Sequence, residues 1–158
     1  MKEDYDGAEP SPNSVSALNL LRLGEMLDDK GFRLMAAKTF AAFNGQLQQT
    51  PSAMPEMMVA LDFYLANPKQ IVIAGTPNAP ETRAMLHAVH AHFVPNKILL
   101  LADGGTGQAF LGKRLEFIRD AKMIGNAATA YVCENYVCHL PTTNMNVVAR
   151  LISSHPNK

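Results

Sequence analysis

The chain has 158 residues, 47% of them apolar, which suits one ordinary globular domain or two small units sharing a core. Lys and Arg total 14 and Asp and Glu total 14, so the net charge is zero, which argues against a broadly basic nucleic-acid surface. No apolar run approaches the ~20 residues that span a bilayer, and two cysteines do not make a disulfide scaffold.

The segment Met1-Lys2-Glu3-Asp4-Tyr5-Asp6 is polar and acidic, unlike a signal or transit peptide. The expected compartment is therefore the cytoplasm, with reduced thiols. Asp4, Asp6 and Glu9 form an acidic cluster in a Gly- and Pro-containing loop. Such loops carry the acids of sugar-processing sites, and they are equally well solvated ahead of a helix N-terminus. The first helix is predicted over residues 15–26, after Pro10, Pro12 and the capping candidates Asn13 and Ser14. Leu18, Leu20, Leu21 and Leu23 point to more than one face, so burial on two sides is expected. Asp28-Asp29-Lys30-Gly31 is the turn. Apolar residues from Phe32 to Leu47 recur at three and four and predict one amphipathic helix. Thr50-Pro51-Ser52 breaks it. Met54, Met57, Met58, Leu61, Tyr64 and Leu65 predict a third helix, ended by Asn67-Pro68. The methionines would suit an adaptable contact surface.

Beyond Pro68 the period changes. "QIVIAG" and "KILLLAD" are short, continuous apolar runs, the pattern of strands buried on both faces of a parallel sheet. A helix over residues 81–93 lies between them, opened by Asn78-Ala79-Pro80. His87 and His90 share a face of it and His92 does not, so a solvated helix face is expected there, with no metal. Gly104-Gly105-Thr106-Gly107 follows the second strand and precedes a helix over residues 108–118, where an anion could meet backbone N–H groups. The Walker pattern is absent, and Phe110 stands at the third glycine position of a dinucleotide fingerprint. No cofactor is expected. A third strand over residues 129–133 and a last helix over residues 145–153 complete a mixed α+β and α/β chain. The sheet is expected to be three-stranded and mostly parallel. The units are residues 1–68 and 69–158.

Cys133 and Cys138 pose three alternatives: a redox pair, half a metal site, or packing. On a straight strand five residues separate them by ~16 Å and put them on opposite faces. A disulfide needs Cα atoms within about 7 Å, so pairing requires a bend at Glu134-Asn135. A small buried Cys133, with Cys138 near the strand end, is the expectation.

"KEDYDGAEPSPNSVSALNLLRL", residues 2–23, resembles a stretch near the C-terminal end of the spermatogenesis-associated protein 20 family. The resemblance continues through "PSAMPEMMVALDFYL", "IVIAG", "VPNKILLLADG" and "ATAYVCENYVCHLPTT". It implies a multidomain parent with an N-terminal thioredoxin-like domain, then an α/α toroid like that of six-hairpin glycosidases and N-acylglucosamine epimerases. The first unit would be helices of an incomplete toroid. Carried over by position, the loop from Asp6 to Asn13 would sit on the toroid rim, with Asp6, Glu9 and Asn13 facing the cavity and a carbohydrate-like small molecule. The resemblance thus implies a C-terminal fragment of a protein of poorly defined activity, inactive alone. Its partners would be the missing N-terminal domains or further copies of itself, with no nucleic acid and no membrane. An autonomous protein-interaction module and a thiol enzyme using Cys133 or Cys138 remain the alternatives.

Overall fold

The structure, a computed structural model, describes residues 5–134 and 137–153. Two compact units meet in sequence at Asn67 and Pro68. Asp4 lies outside the described residues.

The first unit contains helices α1 (Pro12–Leu27), α2 (Lys30–Ala42), α3 (Asn44–Gln49) and α4 (Pro55–Leu65), with a 3-10 turn at Pro51–Ala53. Ser11 caps α1, its Oγ accepting the Ser14 N–H at 3.2 Å, and Pro12 follows at a position that needs no donor. Asp28, at φ 49°, ends the helix in the left-handed region. α1 packs on both α2 and α4. Ala17, Leu18 and Leu21 meet a core that includes Ala36, Phe40, Phe43, Met57, Ala60 and Phe63. Arg33 joins α2 to α4: its guanidinium lies 4.4 Å from the Tyr64 ring centre and donates to Tyr64 O at 2.8 Å.

Three expectations need correction here. The helix over residues 32–47 is interrupted at Phe43, which leaves helical geometry (φ −108°, ψ 11°) while its ring is buried and its N–H is shared by Thr39 O and Phe40 O. Asn44 and Gly45, weak helix formers, follow at once. α1 is buried on one side only, since Leu20 is half-buried and Leu23 exposed. Met54 and Met57 are completely buried, so of the three methionines only Met58 presents itself to solvent.

The second unit runs β1 (Gln70–Ala74), α5 (Pro80–His90), β2 (Ile98–Ala102), α6 (Thr106–Leu111), α7 (Glu116–Asp120), β3 (Thr129–Glu134), β4 (Val137–Cys138) and α8 (Met145–Ser153). The sheet order is β2-β1-β3-β4. β1 pairs parallel with β2, whereas β3 is antiparallel to β1 and β4 to β3. The expected three-stranded, mostly parallel sheet is thus corrected to four strands with one parallel pair. The cause lies after β2. A parallel return needs a crossover of a dozen or more residues, usually a helix running the length of the strands. Here the predicted helix over residues 108–118 breaks at Gly112, where a Cβ would lie 2.9 Å from Arg119 Cβ. The two short helices fold back on each other. Gly125 and Asn126, both at φ 58°, then reverse the chain between the bridged residues Ile124 and Ala127, so that β3 starts beside the end of β1, with Thr129 opposite Ala74.

Strand alternation sorts the core into two layers. Ile71 and Ile73 face Met85 and Val89 of α5 and Val148 and Ile152 of α8. Val72 and Ala74 face Leu115, Ile118 and Ala121, on the side of α6 and α7. Buried Lys69 ties the start of β1 to the end of α8, donating to Leu151 O at 2.8 Å and Ile152 O at 3.3 Å, with Glu134 at 3.9 Å.

Candidate functional site

β1 leads into α5 on one face of the sheet, and β2 leads into α6 on the other. The two connections part at the carboxyl ends of adjacent parallel strands, which is where open α/β sheets form ligand crevices. A cleft of about 570 Å³ opens there. Ala74, Gly75 and Ala102 come from the strand ends, Asp103, Gly105 and Gln108 from the β2–α6 connection, and Arg119, Lys122 and Asn126 from α7 and the turn beyond it. Gly75 is required by close approach, since a Cβ there would collide with Thr82 Oγ1 and lie 3.0 Å from Thr82 Cγ2.

Asp103 organises the glycine-rich connection. Its Oδ1 accepts the N–H groups of Gly105 at 2.8 Å and Gln108 at 3.0 Å. Those bonds, Gly105 first, hold the carboxyl below its ordinary pKa. Gln108 locks the far side, its Nε2 donating to Ile118 O at 2.7 Å and Ala121 O at 2.9 Å. An external anion at the start of α6 would meet amides already committed to a carboxylate, so the glycine run is a built turn with its own internal anion. Neither Asp103 nor Gln108 stands out in the sequence by composition. The available signal is an Asp directly after an apolar strand and before Gly-Gly, the arrangement of an Asx turn.

Of the rim candidates, Asp6 is buried and its carboxylate is fully engaged. Oδ1 accepts Ser11 N–H at 2.7 Å, and Oδ2 accepts Glu56 N–H at 2.9 Å and Met57 N–H at 3.2 Å. Its own N–H donates to Ala53 O at 2.8 Å. One side chain therefore steadies the capping residue of α1 and occupies the N-terminus of α4, fifty residues away in the chain. Burial pushes its pKa up, and the bonds from Ser11, Ser14, Met57 and Glu56 outweigh this, leaving it below the ordinary value. Glu9 is exposed and Asn13 half-buried.

Cys133 and Cys138 are joined as a disulfide, which corrects the expectation of two separate thiols. The straight-strand distance does not apply, because β3 and β4 are antiparallel and put the two residues opposite each other, Cα atoms 3.9 Å apart. The predicted bend at Glu134-Asn135 falls partly on Asn135, outside the described residues. Cys133 is buried, as expected of it, and Cys138 is exposed. His87 and His90 are exposed, and His92 lies 2.9 Å from Ala88 O through Nδ1. Among the described residues, no group of three His, Cys, Asp or Glu side chains is placed to hold a metal, and no helix is long and apolar enough to cross a membrane.

The chain is 42% identical over 156 residues to spermatogenesis-associated protein 20 of Homo sapiens, and 41% identical over 152 residues to that of Rattus norvegicus. The alignments cover 99% and 96% of this chain. The chain is a homologue of spermatogenesis-associated protein 20. It spans about a fifth of the length of these curated relatives, consistent with a match to a C-terminal portion. An uncharacterized protein of Caenorhabditis elegans is 28% identical over 156 residues, again across 97% of this chain and 20% of the relative. No protein-family model and no solved structure matches. The name spermatogenesis-associated protein 20 states no reaction, so the chemistry of the site rests on the side chains described above.

Proposed function

We propose that this chain is the C-terminal portion of a longer protein of the spermatogenesis-associated protein 20 type, and that it is a completing piece of that protein, without catalysis of its own. Its helical unit closes an α/α toroid of the six-hairpin glycosidase kind. The thioredoxin-like domain and most of the toroid belong to the other four-fifths. The observation that carries this is the outer surface of the helices. Leu34 and Met35 of α2 are 57% and 52% exposed, and Val59 and Leu65 of α4 are 48% and 73% exposed, although the inward faces of these helices are already filled. Four large apolar side chains left in water on two helices of so small a bundle are what a surface covered in the working protein would leave behind. The chain matches 20% of the relative's length, and the other four-fifths would supply the cover.

In that assembly the loop from Asp6 to Asn13 forms part of the rim. Asp6 shapes the loop, while exposed Glu9 and half-buried Asn13 face a carbohydrate-like small molecule in the toroid. A cytoplasmic location belongs to the same reading, and there the Cys133–Cys138 bond would be a local, redox-responsive one.

The test is sedimentation of the chain over a concentration series, alone and after co-expression with a relative's complementary four-fifths. Alone, the chain self-associates or aggregates. With the complement, it forms a one-to-one complex that a Leu34→Glu/Val59→Glu variant fails to form. A stable monomer that binds no hydrophobic dye and ignores the complement would identify an autonomous domain and defeat the proposal.

A further inference from the structure

Every residue lining the cleft at the ends of β1 and β2 belongs to the second unit, not to the helical unit proposed to close a toroid. Its floor is small: Ala74, Gly75, Ala102, Gly105 and Ala109 leave the strand ends open to a ring-shaped group. Its volume, about 570 Å³, lies within the range of sites for small organic ligands.

Three charged side chains line it. Asp103 is a fixed acceptor. A carboxylate offers about four lone-pair directions. The amides of Gly105 and Gln108 occupy two on Oδ1, the amides of Asp103 itself and Gly107 add weaker contacts, and Oδ2 lies beside Gly107, where a Cβ would come within 2.9 Å of it. Neither of these two hydrogen bonds ends on Oδ2, which keeps acceptor capacity on a carboxylate whose position is set by the loop before any ligand arrives. Arg119 is a cation already offset, with Asp120 at 3.3 Å and Glu116 at 3.8 Å. Lys122 differs. It is exposed, and among the described residues its ammonium has no hydrogen bond or ion pair. Its backbone is nevertheless held: the Lys122 N–H donates to Tyr131 Oη at 3.1 Å, and the Tyr131 hydroxyl pairs with Lys122 O at 2.8 Å. The cleft thus combines a preorganised acceptor for hydroxyls with an unbalanced ammonium for an anion.

A dinucleotide does not suit it. Its pyrophosphate would need a glycine-rich turn after β1 and a free helix N-terminus. The turn here is Gly75-Thr76-Pro77-Asn78, and α5 opens with Pro80, which lacks an N–H, and Glu81, which repels phosphate. One anionic group near Lys122 is what the lining accommodates.

We propose that this cleft binds a phosphorylated sugar, with Asp103 accepting from the sugar hydroxyls and Lys122 meeting the phosphate. The same chemistry is presented by a free sugar phosphate and by a nucleoside monophosphate. Calorimetric titration of the full chain with ribose 5-phosphate, AMP, NAD, ribose and inorganic phosphate separates the sources and tests the class. Ribose 5-phosphate or AMP binds saturably, and the tighter of the two identifies the source. Ribose and phosphate each bind ~10-fold more weakly or not at all, since each keeps only one of the two charge-assisted contacts. Lys122→Gln, at an exposed position, weakens the phosphorylated ligand ~10-fold without lowering the melting temperature. Ala109→Leu, which fills the cleft from an exposed helix position, abolishes binding with the far-UV spectrum unchanged. The inference is overturned if neither phosphorylated sugar binds, if inorganic phosphate binds as well as they do, if NAD binds tighter than both, or if neither variant changes the affinity. Because the cleft lies in one unit, none of these outcomes depends on whether the helical unit closes a toroid.

Discussion

Replacing Asp6 with Asn separates the two roles open to that residue, because it keeps the shape and removes the charge. As a ligand-contacting rim acid, Asp6 could be changed at little cost to stability. As an internal cap it could not. Oδ1 accepts the Ser11 N–H at 2.7 Å and Oδ2 accepts Glu56 and Met57 N–H groups at 2.9 and 3.2 Å, all close to the start of a helix. An amide offers one acceptor oxygen and turns an NH2 toward the remaining donors. Loss of an N-cap costs ~0.5–2 kcal/mol, and a hydrogen bond to a charged group contributes ~1.5–3 kcal/mol. Since the three bonds share one carboxylate and do not add fully, the expected loss is about 3 kcal/mol for Asp6→Asn, and as much for Asp6→Ala. The pH dependence carries the same signature. The folded pKa is depressed, so the carboxylate's contribution is complete above the unfolded value, near 3.8, and is lost as pH falls through the lower folded value. Urea unfolding of the full chain, followed by helical circular dichroism at pH 7 and again in acid, measures both. The variant's deficit is largest at pH 7 and shrinks in acid. A deficit below about 0.5 kcal/mol at pH 7, or one independent of pH, would show that the carboxylate does not hold these helix ends.

The Cys133–Cys138 bond predicts no free thiol in the unreduced, denatured chain; a count of two would refute it. Closing so short a loop contributes about 2 kcal/mol in the chain-entropy picture, and a matched melt of reduced and unreduced protein reads that difference. Lys69→Met leaves the carbonyls of Leu151 and Ile152 without the ammonium and should destabilise the second unit by about 2 kcal/mol, measured by urea unfolding. Gly75→Ala forces a methyl group onto Thr82 and should cost ~1–3 kcal/mol, with partial recovery in Gly75→Ala/Thr82→Ala, where the hydroxyl and methyl it strikes are removed. No recovery in the double variant would place the strain in the backbone.

What could be read from the sequence, and what could not, follows the range over which each feature is determined. Local signals carried the helices that start at a proline: α1, α4 and α5 begin at Pro12, Pro55 and Pro80, and α8 spans residues 145–153 as its pattern predicts. The apolar runs of β1 and β2 are parallel neighbours, but the two-sided burial expected of both holds for β1 alone, since β2 is the edge strand and its Leu99, Leu100 and Leu101 are half-buried. Strand direction for β3 is not a local property. It depends on whether the chain after β2 travels back along the sheet, and here α6 and α7 instead fold on each other at Gly112, where a Cβ would lie 2.9 Å from Arg119 Cβ. The cysteines failed for the same reason. Five residues along a strand mean ~16 Å, but five residues around a hairpin mean opposite positions in neighbouring strands, and β4 is only the dipeptide Val137–Cys138, too short to register as a strand of its own. Asp6 is the instructive middle case. Its presence in an acidic, proline-containing loop before a helix was visible, and the helix it precedes is the one whose cap it steadies. The second helix it caps begins at Pro55, and nothing within reach of Asp6 in the chain announces it. An acidic residue beside a helix start is therefore ambiguous until every buried N–H near it has been assigned. In this chain that assignment commits both oxygens of Asp6 to backbone amides. On Asp103 it leaves acceptor capacity beside an open cleft, which makes Asp103 the better of the two as a ligand-binding acid.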